Sequence, residues 1–299
     1  RTSTRLDYRS GCILSKILPF PELWKMLLGF LCDCPCASWQ CAAVANCYDS
    51  VFMSRPEHKP NIPYITKATR RGLRMKTLAY LASLKDARQL AYDFLKDPGS
   101  LARLAKALIA PKEALQEGNL FFYGCSNIED ILEEMRRPHR ILLLGFSYCQ
   151  KPKACPEGRF NDACRYDPSH PTCASCSIGT MMRLNARRYT TVIIPTFIDI
   201  AKHLHTLKKR YPGYQILFAV TACELSLKMF GDYASVMNLK GVGIRLTGRI
   251  CNTFKAFKLA ERGVKPGVTI LEEDGFEVLA RILTEYSSAP FPRDFCEIH

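Results

Sequence analysis

Short apolar runs in the second half of the chain alternate with stretches whose apolar residues recur at helical spacing. The runs cover residues 141–145, 189–195, 215–221, 241–246 and, less clearly, 267–271. A continuous apolar run is typical of a strand that is buried on both faces of a sheet. Helical patterns lie between the runs, at about residues 197–210, 224–231, 251–263 and 275–286. This alternation predicts an α/β fold: an open, mostly parallel sheet with helices on both faces.

Helical patterns also precede this region. Apolar residues recur at helical spacing over residues 66–96, a second helix runs from Ser100 to Ile109, and a short one follows Asn127. We therefore predict four parts. A cysteine-rich extension covers residues 1–53, and a basic helical region covers residues 54–124. An α/β metal-binding domain covers residues 125–286, and an irregular tail covers residues 287–299.

The first part has three interpretations. It is a disordered extension, sequence upstream of a start at Met53, or a secretory signal, since basic residues precede a short apolar run and small residues follow at 43–45. We expect no membrane span there, because Asp33 and Pro35 interrupt a run already shorter than about twenty apolar residues.

The chain is basic. Its 299 residues include 42 Lys and Arg against 28 Asp and Glu, a net charge of +14. That balance favours an anionic partner, such as nucleic acid, acidic lipid or a phosphorylated ligand. The helix within residues 66–96 is the candidate nucleic-acid surface, and a solvated helix face is the alternative; its basic residues are Lys67, Arg70, Arg71, Arg74 and Lys76.

A loop after the first apolar run concentrates the candidate chemistry. The chain has 15 cysteines, and five of them lie here: Cys149, Cys155, Cys164, Cys173 and Cys176. Thiols this dense either form disulfides or hold a metal. Structural zinc takes four ligands, whereas iron–sulfur clusters use cysteine thiolates at irregular spacing. The surplus of thiols favours an iron–sulfur cluster, with zinc as the alternative and His170 as a substitute ligand.

Further candidates follow later apolar runs. Cys223 and Glu224 come directly after the third run, and Cys251 follows the fourth. Ligands of open parallel sheets bind beyond the carboxyl ends of the strands, and a helix start lowers a thiol pKa. We therefore expect Cys223, Glu224 and Cys251 to line a catalytic pocket that faces the metal. The alternatives are small buried hydrophobes for the cysteines and a helix first-turn carboxylate for Glu224.

These motifs resemble the uncharacterised prokaryotic family called domain of unknown function 116, over about residues 125–272. The elements in order are Cys149-Gln150, Cys155, Cys173-Ala-Ser-Cys176, Ala222-Cys223-Glu224 and Cys251-Asn252-Thr253. The chain departs from the family pattern, because Tyr148 replaces a histidine, Ala174 a glycine, and Cys164 substitutes for a leading cysteine near His170. The resemblance implies cysteine-ligated metal but no established reaction.

Our function hypothesis is a cytoplasmic iron–sulfur protein with an unidentified redox partner or anionic ligand. Its cluster would transfer electrons or act in sulfur or Lewis-acid chemistry. One alternative is a non-enzymatic module, stapled by zinc or a cluster, that binds RNA or another polyanion. Another is a secreted disulfide protein. Gly241-Val-Gly243 lacks the third glycine of a dinucleotide-binding loop, so it does not predict one.

Overall fold

The main sheet has six strands, four of which are parallel. The computed structural model describes residues 64–96, 98–109, 114–185 and 190–288. The strands are β1 Leu115–Glu117, β2 Leu120–Tyr123, β3 Arg140–Ser147, β4 Thr190–Ile194, β5 Gln215–Ala222 and β6 Lys240–Arg245. Their order is β1-β2-β6-β5-β3-β4, in which β1 and β2 form an antiparallel hairpin beside β6. The other neighbours pair in parallel, so the predicted sheet is confirmed.

Helices cover both faces of this sheet, as predicted. They are α1 Lys67–Arg70, α2 Leu73–Ser83, α3 Lys85–Leu95, α4 Pro98–Ile109, α5 Ile128–Arg136, α6 Pro171–Ala174, α7 Ser177–Asn185, α8 Phe197–Arg210, α9 Glu224–Val236, α10 Phe254–Ala260 and α11 Glu273–Ser288. Helices α8, α9 and α10 share one apolar core, and α5, α7 and α11 share the other.

Strand β3 shows why its sequence is uniformly apolar. Its side chains alternate between faces, so Ile141 and Leu143 enter the first core while Leu142 and Leu144 enter the second. All four are at most 1% exposed. A strand with a core on each face has no position for a polar side chain.

The prediction of a fifth parallel strand at residues 267–271 is wrong in the length of the strand and in its position outside the main sheet. Within residues 267–271 only Thr269–Ile270, β8, is a strand, and it pairs antiparallel with Thr247–Gly248, β7, in a separate two-stranded sheet. The reason is that β2 occupies the position beside β6 where a further parallel strand would lie. The hairpin also brings residues of the predicted basic helical region into the sheet, and all described residues belong to one compact unit.

The pair Gly241 and Gly243 lies within β6, where it serves close packing. A Cβ on Gly241 would lie 2.2 Å from the Phe218 carbonyl oxygen, and one on Gly243 would lie 2.5 Å from Leu227 Cδ2. The two glycines therefore let β6 approach β5 and α9 closely.

Several predictions fall outside the described residues. These are the three interpretations of residues 1–53 and, apart from residues 287–288 at the end of α11, the irregular tail. In the part of the chain that the structure describes, no helix is both long and apolar enough to cross a bilayer.

Candidate functional site

Three cysteines meet where β3, β5 and β6 end, and we call them the strand-end group: Cys149, Cys223 and Cys251. Cys149 lies in the 3-10 turn Tyr148–Gln150 after β3, Cys223 lies between β5 and α9, and Cys251 precedes α10. They line one cavity of about 60 Å³. Their exposures are only 9%, 9% and 4%. Parallel strands thus bring three thiols that are distant in sequence to a single site.

Cys223 and Cys251 line the same cavity, and each is the main cause of the other's pKa shift. The ammonium of Lys265 donates to Cys251 Sγ at 3.1 Å, and Cys223 Sγ lies 3.4 Å from Ser226 Oγ. Cys223 is also the N-cap residue of α9, where the helix dipole favours negative charge. The two sulfurs therefore lie in surroundings that stabilise one thiolate.

The thiol protonation states follow from these contacts. The neighbouring Cys251 thiol lowers the pKa of Cys223 to about 5 against the effect of burial, with Lys265 and Ser226 contributing. Cys223, together with burial, raises the pKa of Cys251. Burial raises the pKa of Cys149. At neutral pH the group therefore holds one thiolate and two thiols beside the Lys265 ammonium.

Glu261 lines the same cavity and was not predicted. Its carboxylate accepts hydrogen bonds from the Phe197 backbone N–H at 2.8 Å and from the Tyr80 hydroxyl at 3.1 Å. Burial raises the pKa of this carboxyl to about 7. One feature of the sequence could have indicated Glu261, because it is an acidic residue at the carboxyl end of a helix, where the helix dipole disfavours negative charge. No such feature indicated Lys265, which lies in a loop.

Glu224 does not line the cavity, contrary to expectation. It is 1% exposed, and its carboxylate accepts from the Ile65 backbone N–H at 3.0 Å and pairs with Arg70 at 3.3 Å. The neighbouring Asn252 carbonyl accepts from the Thr66 backbone N–H at 3.0 Å. Glu224 therefore fastens the segment 65–70 across the two helix starts that carry Cys223 and Cys251.

The other four cysteines of the predicted site line a second cavity, of about 20 Å³, and we call them the loop group: Cys155, Cys164, Cys173 and Cys176. Cys173 is buried and the other three are half-buried. Burial raises the pKa of Cys164 and of Cys176, and the neighbouring thiols of the group add to the effect. Cys149 is separated from this group, because it lines the other cavity.

Two basic side chains hold the loop. The Arg159 guanidinium donates to the carbonyl oxygens of Gly267 at 2.8 Å and Lys265 at 2.9 Å, and to that of Cys149 at 3.3 Å. Lys151 is 2% exposed, and its ammonium donates to Asn161 Oδ1 at 2.7 Å. Arg159 therefore ties the loop to the segments that carry Cys149 and Lys265.

The two cavities are neighbours at the end of β4. Ile193 lines the cavity of the loop group, and the next residue, Ile194, lines that of the strand-end group. Their side chains enter opposite cores of the sheet. The end of β4 therefore separates two clusters of thiols at one edge of the fold.

The loop group offers four thiols, the type of donor that cysteine-ligated metals use. All cysteines within the described ranges are free thiols: Cys125, Cys149, Cys155, Cys164, Cys173, Cys176, Cys223 and Cys251. Among the same residues, no three Cys, His, Asp or Glu side chains are arranged to hold one metal ion. His170 instead caps α6, because its Nδ1 accepts from the Thr172 backbone N–H at 3.3 Å.

Part of the predicted basic surface is engaged within the protein. Arg70 pairs with Glu224 at 3.3 Å, and Arg74 pairs with Asp232 at 2.8 Å. Lys76 donates to the carbonyl oxygens of Ala68 and Arg71 at 2.8 and 2.9 Å. These contacts join α1 and α2 to α9 and to each other.

Comparison with known proteins finds no matching family model, no matching curated protein and no matching solved structure. The resemblance to domain of unknown function 116 therefore rests on the cysteine motifs alone and stays a prediction.

Proposed function

We propose that the chain is an iron–sulfur protein whose cluster is bound by the loop group. The observation that carries this proposal is that four free thiols line one cavity. Burial and the neighbouring thiols raise the pKa of two of them, Cys164 and Cys176, when no cation is present. A bound metal reverses that balance, because coordination deprotonates a thiol outright. The group therefore has the donors that a cluster requires.

The spread of the thiols supports a cluster over a single zinc ion. Four sulfurs on one zinc all lie about 2.3 Å from it. No described group of three or more candidate ligands is arranged around one such point, although the four thiols share a cavity. A cluster accepts its cysteines on different irons, so its ligands need not converge on one point.

The surrounding residues would position the cluster and limit its exposure. Arg159 and Lys151 fix the loop through the contacts described above, and Ile178 and Ile193 exclude water from one side. When bound, the cluster supplies single-electron transfer or a Lewis-acidic iron. The half-buried Cys155, Cys164 and Cys176 leave the loop side accessible. The net charge of +14 favours an acidic redox partner there.

A pair of cysteine variants tests the proposal. Cys164→Ala removes a ligand, whereas Cys125→Ala removes a half-buried thiol that lies outside both groups and donates to the Tyr123 carbonyl oxygen. We expect the first variant to lose most of its iron and acid-labile sulfide and the second to keep wild-type amounts. Equal metal content in both variants would contradict the assigned ligands.

A further inference from the structure

The strand-end group has no part in the proposed cluster, yet two of its thiols line one cavity beside a cation. Cys223 and Cys251 both line the cavity of about 60 Å³, and the Lys265 ammonium lies 3.1 Å from Cys251 Sγ. Cys223 directly follows β5, and Cys251 follows β7, which comes after β6, the neighbour of β5 in the sheet. The fold therefore brings two buried thiols that are distant in sequence to one cavity.

We propose that Cys223 and Cys251 are a redox-active dithiol that exchanges with small uncharged disulfides. Cys223 is the attacking thiolate, and Cys251 is the resolving thiol. This proposal does not rest on the cluster, since the oxidant is the disulfide substrate itself.

The exchange proceeds in two displacements. The Cys223 thiolate attacks one sulfur of the substrate R–S–S–R, forming a mixed disulfide and releasing RS⁻, which takes the proton of Cys251. The resulting Cys251 thiolate attacks the Cys223 sulfur, closes the Cys223–Cys251 disulfide and releases a second RS⁻, which is protonated by water. The protein gives two electrons, and the substrate becomes two thiols.

The cavity indicates the substrate class. Its walls include Ile200, Phe197, Phe230 and Phe257, and it is partly open to solvent. A volume of about 60 Å³ admits one short aliphatic arm of a disulfide but not a folded polypeptide. Apolar walls disfavour a charged substituent, because burying an unpaired charge is costly. The fitting substrates are therefore short, neutral aliphatic disulfides.

Position-specific mapping tests the proposal on the full chain. The reduced protein is treated with 2-hydroxyethyl disulfide, its free thiols are alkylated, and its peptides are identified by mass spectrometry. We expect a disulfide between the Cys223 and Cys251 peptides, both in the wild type and in Cys125→Ala, which removes a thiol outside both groups. In Cys251→Ala we expect the mixed disulfide to accumulate on Cys223, because no resolving thiol remains.

Two results would overturn the proposal: a Cys223 that stays free while the more exposed loop thiols react, or a Cys223 joined to any cysteine other than Cys251. Both are read in the wild type, so they do not depend on whether a variant folds. Iron and sulfide measured in the same samples test the cluster separately.

Discussion

At the scale of single residues, Lys265 supplies a positive charge that acts on all three thiols of the strand-end group. Its ammonium lies 3.1 Å from Cys251 Sγ and also lowers the pKa of Cys223 and opposes the rise at Cys149. Among the described residues, the other charged or titratable groups that act on these thiols include Tyr148, Glu261 and Arg159. A cation at this position favours a thiolate that burial alone would protonate.

Lys265→Met should therefore raise the pH at which Cys223 becomes reactive. The wild-type midpoint is expected near the pKa of about 5. Loss of a charge within contact distance should move that midpoint upward by about 1 to 3 units. The measurement is the rate of iodoacetamide labelling at Cys223 against pH. Lys255→Met, at an exposed position of α10, is the control and should leave the midpoint unchanged. An unshifted midpoint in Lys265→Met would contradict the assigned role.

Glu261 should make stability depend on pH. Burial raises its pKa from 4.5 to about 7, so the folded state holds the proton more tightly than the unfolded state does. Protonated Glu261 therefore adds to the free energy of unfolding. This stabilisation is complete at pH values below the pKa of Glu261 in the unfolded state, and it is lost as pH rises through the pKa of Glu261 in the folded state. Between about pH 5 and pH 8 this loss amounts to about 2 to 3 kcal/mol.

Urea unfolding of Glu261→Gln checks this prediction. The amide cannot ionise, so the variant should gain about 2 to 3 kcal/mol relative to wild type as pH rises over that range. Glu273→Gln, at the exposed start of α11, should show no such gain. If the free energy of unfolding differed between Glu261→Gln and wild type by the same amount at about pH 5 and about pH 8, Glu261 would have an ordinary pKa.

The shared position of Cys223 and Cys251 was predictable from the order of the strands, because parallel strands end at one edge of the sheet. Glu224 could not be placed in the same way, because its direction depends on contacts with Ile65 and Arg70, more than a hundred residues away. Tertiary packing brings the Lys265 ammonium to Cys251 and Glu261 to the cavity wall, and the sequence indicated neither position in the fold.

At the scale of elements, the segment 65–70 acts as a clamp on the strand-end group. Glu224 accepts from the Ile65 backbone N–H at 3.0 Å, and the Asn252 carbonyl accepts from Thr66 and Thr69. Each anchor lies next to a cysteine of the proposed dithiol. The segment therefore joins the start of α9 to the approach to α10.

Glu224→Ala should release this clamp. The buried Ile65 N–H loses its acceptor, at a cost of about 1 to 3 kcal/mol. We expect faster tryptic cleavage at Lys67 and Arg70 in the otherwise folded protein. Asp232→Ala, which removes the more exposed pair with Arg74, should change cleavage much less. Equal protection of the segment in both variants would show that Glu224 is not its anchor.

Gly241→Ala should strongly destabilise the sheet. Its Cβ would lie 2.2 Å from the Phe218 carbonyl oxygen of β5, a backbone atom that cannot rotate away. We expect a loss of about 3 kcal/mol or more, at the upper end for overpacked cores. Gly213→Ala, with nothing within 4 Å of the new Cβ, is the control and should change stability little. Chemical denaturation measures both, and a neutral Gly241→Ala would contradict the close approach of β5 and β6.

The main sheet was predictable because strands with a core on each face must be apolar throughout. The short hairpin was not predictable, because β1 has three residues and β2 has four, and runs this short do not show a hydrophobic period. The position of β8 was not predictable either, because it depends on which strands pair. β2 already pairs with the free side of β6, so β8 pairs with β7 outside the main sheet.

At the scale of the whole molecule, the α/β fold places two thiol clusters on either side of the end of β4. Three thiols of the loop group are half-buried and the loop is held by Arg159, whereas all three thiols of the strand-end group are buried beside apolar side chains. Our proposals are metal binding for the first group and thiol exchange for the second. The sequence predicted a shared edge, but not the separation of Cys149 from the loop cysteines.

The most direct test of this account is the iron, acid-labile sulfide and zinc content of protein purified without exposure to air, together with its visible absorption spectrum. We expect iron with matching sulfide and a broad visible absorption that Cys164→Ala abolishes. Zinc without sulfide, or no metal at all in such a preparation, would contradict the central claim that the loop group binds an iron–sulfur cluster.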